Sequence, residues 1–278
     1  MEIKVLGTVS PYCKDDKNCP GYLVTNDQTK ILLDCGNGIT RNLKLPDDLE
    51  NLNIIISHLH KDHYGDLLSL GYATYVFHNL GYLQNRVKVY LPEPDIYQVS
   101  EGYTDEDGWG ASRLVKKPLI DYQFLQEFGE EQFFEFIPYN ERTKLDIDGL
   151  QISFSKNPHP INTYSTKIVD KNKTFVYSGD TGYNGNSLVR LAQDADILLC
   201  EATFLRGQTR LKNNHLYAYE AAKIAKDAKV RKLVLTHFFP EIEKSAYVKE
   251  AKSIFENTEA AEEGKVLKLG GLKWVKKD

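Results

Sequence analysis

The chain has 278 residues, of which 41% are hydrophobic and 27% charged, and its formal net charge at pH 7 is −4. This composition is typical of a globular protein with a large buried core, and it excludes a disordered or disulfide-stapled chain. The slightly acidic balance argues against a protein that binds long nucleic acids, because such proteins usually carry a basic patch.

Neither the apolar stretches nor the cysteines indicate a membrane or secreted protein. No apolar run approaches the ~20 residues of a membrane span. The first seven residues contain the acidic Glu2 and only a short apolar run, which predicts a strand rather than a signal peptide. Cys13 and Cys19 could lie near each other, but the sequence around them supplies no further zinc ligands. We expect all four cysteines to be reduced thiols in a cytoplasmic protein.

The first half of the chain alternates short apolar runs with one amphipathic segment. A strand is predicted at residues 3–6, a hairpin at 21–26 and 30–34, a buried strand at 53–57, a helix at 64–78 and a strand at 86–90. An insertion follows at 97–132. It opens with a turn-rich segment at 102–110, and we expect it to end in a short helix near 120–128.

A second run of elements follows the insertion. Strands are predicted at 133–137, 151–155, 165–169, 173–177, 196–200 and 232–235, and helices at 186–193, 217–228 and 244–256. Two successive halves of this kind suggest two sheets covered by helices on their outer faces. We expect one domain spanning residues 1–278.

Four candidate metal ligands directly follow the buried strand at 53–57. His58, His60, Asp62 and His63 lie within six residues and include three of the seven histidines. His58 and His60 alternate to the same side of an extended segment, and the following helix start turns Asp62 and His63 back toward them. Imidazoles and a carboxylate are typical ligands of zinc, and also of Mn²⁺ or Fe²⁺.

The motif H-x-H-x-D-H after a hydrophobic strand resembles that of the metallo-β-lactamase superfamily. Later motifs follow in the family's order, with His159 in Asn-Pro-His-Pro, Asp180 in Ser-Gly-Asp-Thr-Gly and His237 after Leu-Val-Leu-Thr. The resemblance covers essentially the whole chain. It implies an α/β fold, a four-layer αβ/βα sandwich of two mixed sheets flanked by helices.

The resemblance also implies a centre of two divalent ions, with Zn²⁺ the first expectation and Mn²⁺ or Fe²⁺ the alternatives. One ion would be held by His58, His60 and His159. The other would be held by Asp62, His63 and His237, with Asp180 bridging both and Asp34 supporting the H-x-H-x-D-H loop by hydrogen bonding. Two such ions can share a hydroxide formed near neutral pH. Of these ligands, Asp62 is also a predicted catalytic residue.

A further histidine favours one branch of the superfamily. His215 opens the predicted helix at 217–228, as in the ribonuclease Z branch, where a histidine at this place supports phosphodiester cleavage. By that resemblance His215 is the second catalytic residue, as a phosphate contact or general acid. In ribonuclease Z a histidine precedes Glu-Ala-Thr, whereas this chain has Cys200 before Glu201-Ala-Thr. The insertion contains eight acidic residues and three basic ones, and an acidic insertion would repel tRNA. A tRNA substrate is therefore not expected.

The segment from Pro158 to Tyr164 resembles the smaller ribonuclease Z-like proteins of bacteria and their phages, some of which hydrolyse cyclic nucleotides. The resemblance implies a phosphodiesterase acting on a small nucleotide, such as a cyclic mono- or cyclic dinucleotide. The alternatives are a ribonuclease Z-type tRNA 3′-processing endonuclease and a thioester or lactam hydrolase of the same fold. Tyr164 is our candidate for base stacking, while Tyr72 and Tyr75 fit packing in the core or an interface better. The insertion at 97–132 is a candidate lid or homodimer contact, with a surface loop as the alternative.

Overall fold

The computed structural model describes residues 1–27, 29–104, 110–118, 125, 128, 133–183, 186–210, 214–269 and 274–276. The strands, numbered in chain order, are β1 Glu2–Gly7, β2 Gly21–Thr25, β3 Lys30–Leu33, β4 Leu52–Ile55, β5 Val87–Pro92, β6 Ile96–Thr104, β7 Gly110–Pro118, β8 Phe134–Tyr139, β9 Lys144–Ile147, β10 Leu150–Lys156, β11 Tyr164–Asp170, β12 Lys173–Tyr177, β13 Ile197–Glu201, β14 Lys232–Thr236, β15 Thr258–Ala260, β16 Lys265–Lys268 and β17 Trp274–Lys276. The α-helices are α1 Lys61–Tyr64, α2 Leu67–Asn79, α3 Ser187–Leu191, α4 Ala218–Asp227 and α5 Lys244–Lys252.

Two mixed sheets contain most of these strands. The first has the order β17-β16-β1-β2-β3-β4-β5-β8 and is parallel from β3 to β8. The second has the order β15-β14-β13-β12-β11-β10-β9 and is parallel from β12 to β15. Because β10 runs antiparallel to β11 and β11 antiparallel to β12, β10 and β12 end at the same edge.

Three apolar clusters hold the layers together. The central cluster lies between the sheets and is built from alternate residues of both, such as Tyr22 from β2 and Phe175 from β12. A second cluster packs the outer side of the first sheet against α2, through residues such as Leu67 and Leu70. A third packs the second sheet against the other helices, with Ala-rich α4 close to β13 and β14. The layers are therefore helix, sheet, sheet, helix.

The helix predicted at 64–78 is α2, which starts only at Leu67, and a separate short helix, α1, ends at Tyr64. Asp66 separates them because its backbone N–H donates to the Cys35 carbonyl and its carboxylate accepts the Thr40 N–H at 2.6 Å. These bonds replace the intrahelical partners that a continuous helix would use.

The sequence analysis also missed several strands. β9, β15, β16 and β17 are short, and β9 and β15 lie at the edges of the second sheet. Of the segment at 102–110, expected to be turn-rich, residues 102–104 belong to β6 and Gly110 begins β7, and these two strands pair from Ile96–Pro118 to Thr104–Gly110. Residues 105–109 lie outside the described residues. The helix expected near 120–128 lies mostly outside the described residues. In the described part of the chain, no helix is long and apolar enough to span a bilayer.

The β6–β7 hairpin forms a sheet of its own, so the ladders of the two main sheets do not depend on it. Each strand has nine residues, a length of roughly 30 Å at ~3.3 Å per residue. A two-stranded ribbon without further partners contributes little to global stability.

We predict that the hairpin can be shortened without loss of the metal ligands. Deletion of residues 102–110, with Ala111-Ser112 changed to Asn-Gly, leaves a two-residue turn between the register partners Glu101 and Arg113. Metal content by elemental analysis should stay unchanged because no predicted ligand lies there, while substrate affinity or dimer formation changes. Unchanged kinetics together with an unchanged elution volume would show that the hairpin contributes neither to substrate binding nor to dimer formation.

Candidate metal centre

The predicted ligands all follow the carboxyl ends of strands that meet at one edge of the sandwich. His58 and His60 come after β4 and lead into α1, which carries Asp62 and His63. His159 follows β10, Asp180 follows β12 and His237 follows β14. The two sheets therefore supply four separate loops, and residues distant in sequence converge because their strands end at the same level.

Two ligand groups form at this edge. His58, His60, His159 and Asp180 place ligand atoms within 4.8 Å of one another, and so do Asp62, His63 and His237. In the first group His58 Nε2 lies 3.0 Å from His60 Nδ1, which is 3.2 Å from His159 Nε2. The grouping agrees with the assignment expected from the sequence.

Asp180 lies between the two groups. Its Oδ2 is 3.5 Å from His58 Nε2, and its Oδ1 is 3.3 Å from His63 Nε2 and 3.0 Å from His237 Nε2. Among the described residues, the buried Oδ1 has no hydrogen bond of acceptable geometry despite these short distances. A buried carboxylate oxygen without a partner is costly unless a cation binds it.

The tautomers of four histidines follow from their hydrogen-bond partners. His63 Nδ1 faces the Asp34 carboxylate at 2.8 Å, and His159 Nδ1 faces the Asn214 carbonyl at 3.0 Å, so both nitrogens donate. The Ser57 hydroxyl donates a hydrogen bond to Asp34 and therefore accepts one from His58 Nδ1. The Thr203 hydroxyl donates a hydrogen bond to Glu201 and accepts one from His237 Nδ1 at 2.8 Å.

With Nδ1 as the donor, each of these rings turns its Nε2 into the cluster, and in the neutral ring that Nε2 carries a free lone pair. The Nε2 atoms of His63 and His237 are only 3.2 Å apart, so with both rings neutral two lone pairs would face each other. That arrangement is repulsive alone and favourable around a cation. The nitrogen and carboxylate donors fit zinc, and also Mn²⁺ or Fe²⁺.

The pKa values of the first group favour the ligating form. Burial lowers the pKa of His60 to about 4, helped by repulsion from His159. Burial also lowers the pKa of His58 and of His159. Imidazoles with lowered pKa are neutral at pH 7 and keep a lone pair for a metal.

The second group carries more negative charge. Burial lowers the pKa of His63, but the carboxylates of Asp180, Asp62 and Asp34 outweigh it and raise that pKa well above its usual value. Burial raises the pKa of Asp180, yet His237, His63 and His58 together hold it well below its ordinary range. The site therefore stabilises positive charge, which a divalent ion supplies in place of the proton.

Asp34 anchors the ligand loop as the resemblance implied. It is fully buried, and its carboxylate accepts bonds from the Ser57 N–H at 2.6 Å, from the Tyr177 hydroxyl at 2.6 Å and from His63. Its backbone φ of +58° lies in the left-handed region, which is uncommon outside glycine. The carboxylate thus orients a ligand and ties the end of β3 to the end of β12.

Ser10 and Thr203 also support ligands, and the sequence analysis missed both. Ser10 donates to Asp62 Oδ2 at 2.6 Å, while its N–H donates to the Phe238 carbonyl beside His237. In the sequence, Ser10 and Thr203 are simply hydroxyl residues that follow a strand, and such residues are common in loops that have no part in a metal site. His237 itself has a φ of +61°, held by the Phe238 N–H bond to the Thr8 carbonyl.

His215 lies beside the cluster, and a buried glutamate holds it there. Glu201 Oε1 is 3.1 Å from His215 Nδ1, and the carboxylate also accepts the N–H groups of Thr181 and Leu216. His215 stacks on His237 at a centroid distance of 5.4 Å and, with Asp180 and His237, forms a third group of ligand-type atoms. Burial lowers the pKa of His215, but the charge and hydrogen bond of Glu201 raise it, to a net value of about 9.

Other candidate residues lie away from this cluster. Tyr164 is 3% exposed, and its ring packs against Tyr139 in the core between the sheets. Its predicted stacking on a base thus has no support from its contacts. Tyr72 and Tyr75 are 63% and 44% exposed on α2, so they are not core residues.

We predict about two divalent ions per chain by elemental analysis. Asp180→Ala should lower the occupancy of both ions, because its two oxygens face both groups, whereas His159→Ala should empty mainly one. His78→Ala is the matched control, since His78 stacks on Phe133 and bonds the Leu83 carbonyl outside the cluster. An Asp180→Ala protein that retained two ions would contradict the bridging assignment.

Comparison with known proteins agrees with this fold and centre. A family model described as the beta-lactamase superfamily domain matches residues 29–238. The probable metallo-hydrolase YhfI of Bacillus subtilis (strain 168) is 27% identical over 256 residues, covering 92% of this chain and 94% of that protein. Its crystal structure aligns with a TM-score of 0.80 at 25% identity, over 95% of this chain and 98% of that one.

Ribonuclease Z proteins are also similar. The ribonuclease Z of Archaeoglobus fulgidus is 27% identical over 299 residues, covering 95% of this chain and 96% of that protein. The short form of human tRNase Z shares the fold, with a TM-score of 0.68 at 19% identity over 96% of this chain and 99% of that one. The expected fold class is confirmed: the chain is a metallo-hydrolase of the metallo-β-lactamase superfamily, and ribonuclease Z proteins are among its relatives, which matches the branch expected from the sequence.

Proposed function

We propose that the protein is a dinuclear-metal phosphodiesterase that hydrolyses a small nucleotide, specifically a cyclic mono- or dinucleotide. The observation that carries this proposal is the His215–Glu201 pair beside the seven predicted ligands. Hydrolysis of a lactam or thioester by a metal centre has no need of an additional acid. Cleavage of a phosphodiester with a poor alkoxide leaving group gains most from one.

Each residue of the pair has a distinct task in this proposal. Glu201 is 1% exposed and fully hydrogen-bonded, so its side chain is held in place and orients His215 through Nδ1. His215 then presents its other nitrogen as the proton donor to the departing oxygen. Asp62, held by Ser10, and Asp180 lie among the histidines and supply the carboxylates of the cluster. Two bound divalent ions supply an activated water and offset the charge that develops on the phosphate oxygens.

A ribonuclease Z-type endonuclease remains the second candidate because of one feature of the hairpin. Within β6 and β7 the sequence has a single acidic residue, Glu101, against Arg113, Lys116 and Lys117. The other seven acidic residues of the insertion lie at 105–107 and 121–131. The strands are thus more basic than the insertion as a whole, which favours a polyanionic contact there. The acidic excess of the whole insertion at 97–132 still favours a small substrate.

The exposed side of α2 supports the proposal that the enzyme is a homodimer. Tyr72, Tyr75 and Leu80 are exposed, and residues 67–85 contain no Asp, Glu, Lys or Arg. An uncharged apolar face can meet its own copy across a twofold axis without repulsion. Light scattering should give the mass of two chains, reduced to one in Tyr72→Glu. A wild-type mass of one chain would contradict this proposal.

The central test of the proposed chemistry is His215→Ala assayed on two leaving groups. Both metals should remain bound, because the seven predicted ligands do not include His215. Turnover of a phosphodiester with a ribose hydroxyl as leaving group should fall by about 10²–10⁴-fold, the usual contribution of a positioned general acid. With p-nitrophenolate, which departs without a proton, the loss should be much smaller.

The same assay separates the alternatives. Equal losses on both substrates would assign His215 to phosphate binding instead of proton donation, and no loss on either would remove it from the mechanism. Loss of one ion in His215→Ala would make it a ligand through the group that it forms with Asp180 and His237. Faster hydrolysis of a thioester than of bis-p-nitrophenyl phosphate by the wild-type enzyme would overturn the phosphodiesterase proposal.

A further inference from the structure

Two cysteines lie next to each other in the loop that supports Asp62. We propose that Cys13 and Cys19 are a redox modification site, a dithiol that low-molecular-weight disulfides convert to an intramolecular disulfide, and that this bond weakens metal binding at the Asp62 side of the centre. The proposal depends on the geometry of the loop and does not depend on the identity of the substrate.

The loop already holds the two sulfurs close together. Cys13 Sγ and Cys19 Sγ are 3.7 Å apart. Between them, Lys14 and Lys17 exchange backbone hydrogen bonds at 3.2 and 2.9 Å, which closes a tight turn. The Asn37 carbonyl accepts both the Cys13 thiol, at 3.0 Å, and the Cys19 N–H, at 3.1 Å. A disulfide of about 2.05 Å therefore requires the sulfurs to approach by roughly 1.7 Å.

The surroundings favour oxidation of this pair over the other thiols. Cys13 is exposed, so a dissolved disulfide can reach it, whereas Cys19, Cys35 and Cys200 are 0% exposed. Cys19 needs no solvent contact because its reaction partner is the neighbouring sulfur. Among the described residues, no histidine, carboxylate or third cysteine joins the pair in a group with metal-ligand spacing. The pair thus suits disulfide formation better than a structural metal.

A short chain of hydrogen bonds links Cys19 to the second ligand group. Asn18, its neighbour, accepts the N–H groups of Thr8 and Val9 at 2.8 and 3.0 Å. Ser10, which follows Val9, donates its hydroxyl to Asp62 and its N–H to the carbonyl of Phe238, the residue after His237. Closure of the disulfide draws Cys13 away from Asn37 and moves the turn on which these contacts depend. Removal of such support for a ligand typically costs about 10–100-fold in metal affinity.

The reaction balances with one disulfide as the oxidant. The Cys13 thiolate attacks one sulfur of oxidised glutathione, forms a mixed disulfide and releases one glutathione thiolate. The Cys19 sulfur then attacks Cys13 Sγ and expels the second glutathione, which takes up the proton that Cys19 loses. Two protein thiols are oxidised, one glutathione disulfide is reduced to two thiols, and dithiothreitol reverses the change.

The test is incubation of the zinc-loaded protein with oxidised glutathione, followed by intact mass, thiol count and zinc retention against a chelator. In the wild type we expect a mass lower by two hydrogen atoms, loss of two thiols and zinc binding about 10-fold weaker at one of two sites. Cys19→Ala should keep a glutathione adduct on Cys13, and Cys13→Ser should not react. Ser10→Ala should show the weaker zinc binding without oxidant.

Three results would overturn the proposal. A glutathione adduct that persists on wild-type Cys13 would show a single reactive thiol. A disulfide between two chains, visible on a non-reducing gel, would place the bond elsewhere. An intramolecular disulfide that leaves zinc retention unchanged would refute the coupling to Asp62. None of these readouts requires activity on any substrate, so a failure here is separate from failure of the phosphodiesterase proposal.

Discussion

The candidate centre depends above all on one buried carboxylate, that of Asp34, which connects the two sheets at the edge where the ligands lie. It accepts the Ser57 backbone and hydroxyl after β4, the ring of His63 in α1 and the hydroxyl of Tyr177 at the end of β12. These four donors give both carboxylate oxygens hydrogen-bond partners in a dry interior, where a polar group without partners would be costly. The same oxygens fix both the strand ends and a ligand ring, so the contact that joins the two sheets also positions the metal centre.

The same logic extends around the cluster through hydroxyls and carbonyls. The Asn214 carbonyl, the Asp34 carboxylate and the hydroxyls of Ser57 and Thr203 each accept a hydrogen bond from Nδ1 of one histidine, so the four Nε2 atoms point into the cluster. Glu201 extends this network to His215, since it accepts a hydrogen bond from the Thr203 hydroxyl and orients the His215 ring. A chain that orients its ligands before binding pays less ordering entropy when the ions arrive. The hydrolase chemistry of the family thus follows from hydrogen-bond directions set by strand ends.

The sequence predicted the parts that repeat a strong local pattern. The H-x-H-x-D-H motif predicted four ligands, and the order of the later motifs located His159, Asp180 and His237, which the structure brings together. The buried strands at β4, β12 and β14 were also predictable from their apolar runs. Ser10, Thr203 and the role of Glu201 were not, because their function lies in contacts across the fold and not in spacing. The short edge strands, the break at Asp66 and the β6–β7 hairpin depend on tertiary partners in the same way.

A hydrolysis screen with Zn²⁺ or Mn²⁺ supplied is the decisive experiment on the proposed phosphodiesterase activity. It should compare cyclic mononucleotides, cyclic dinucleotides, linear dinucleotides and precursor tRNA on one preparation of the enzyme. We expect a cyclic mono- or dinucleotide to be turned over with the highest kcat/KM, and precursor tRNA to be cleaved poorly. Efficient cleavage of precursor tRNA at its 3′ end, with no turnover of any small nucleotide, would contradict the proposed function.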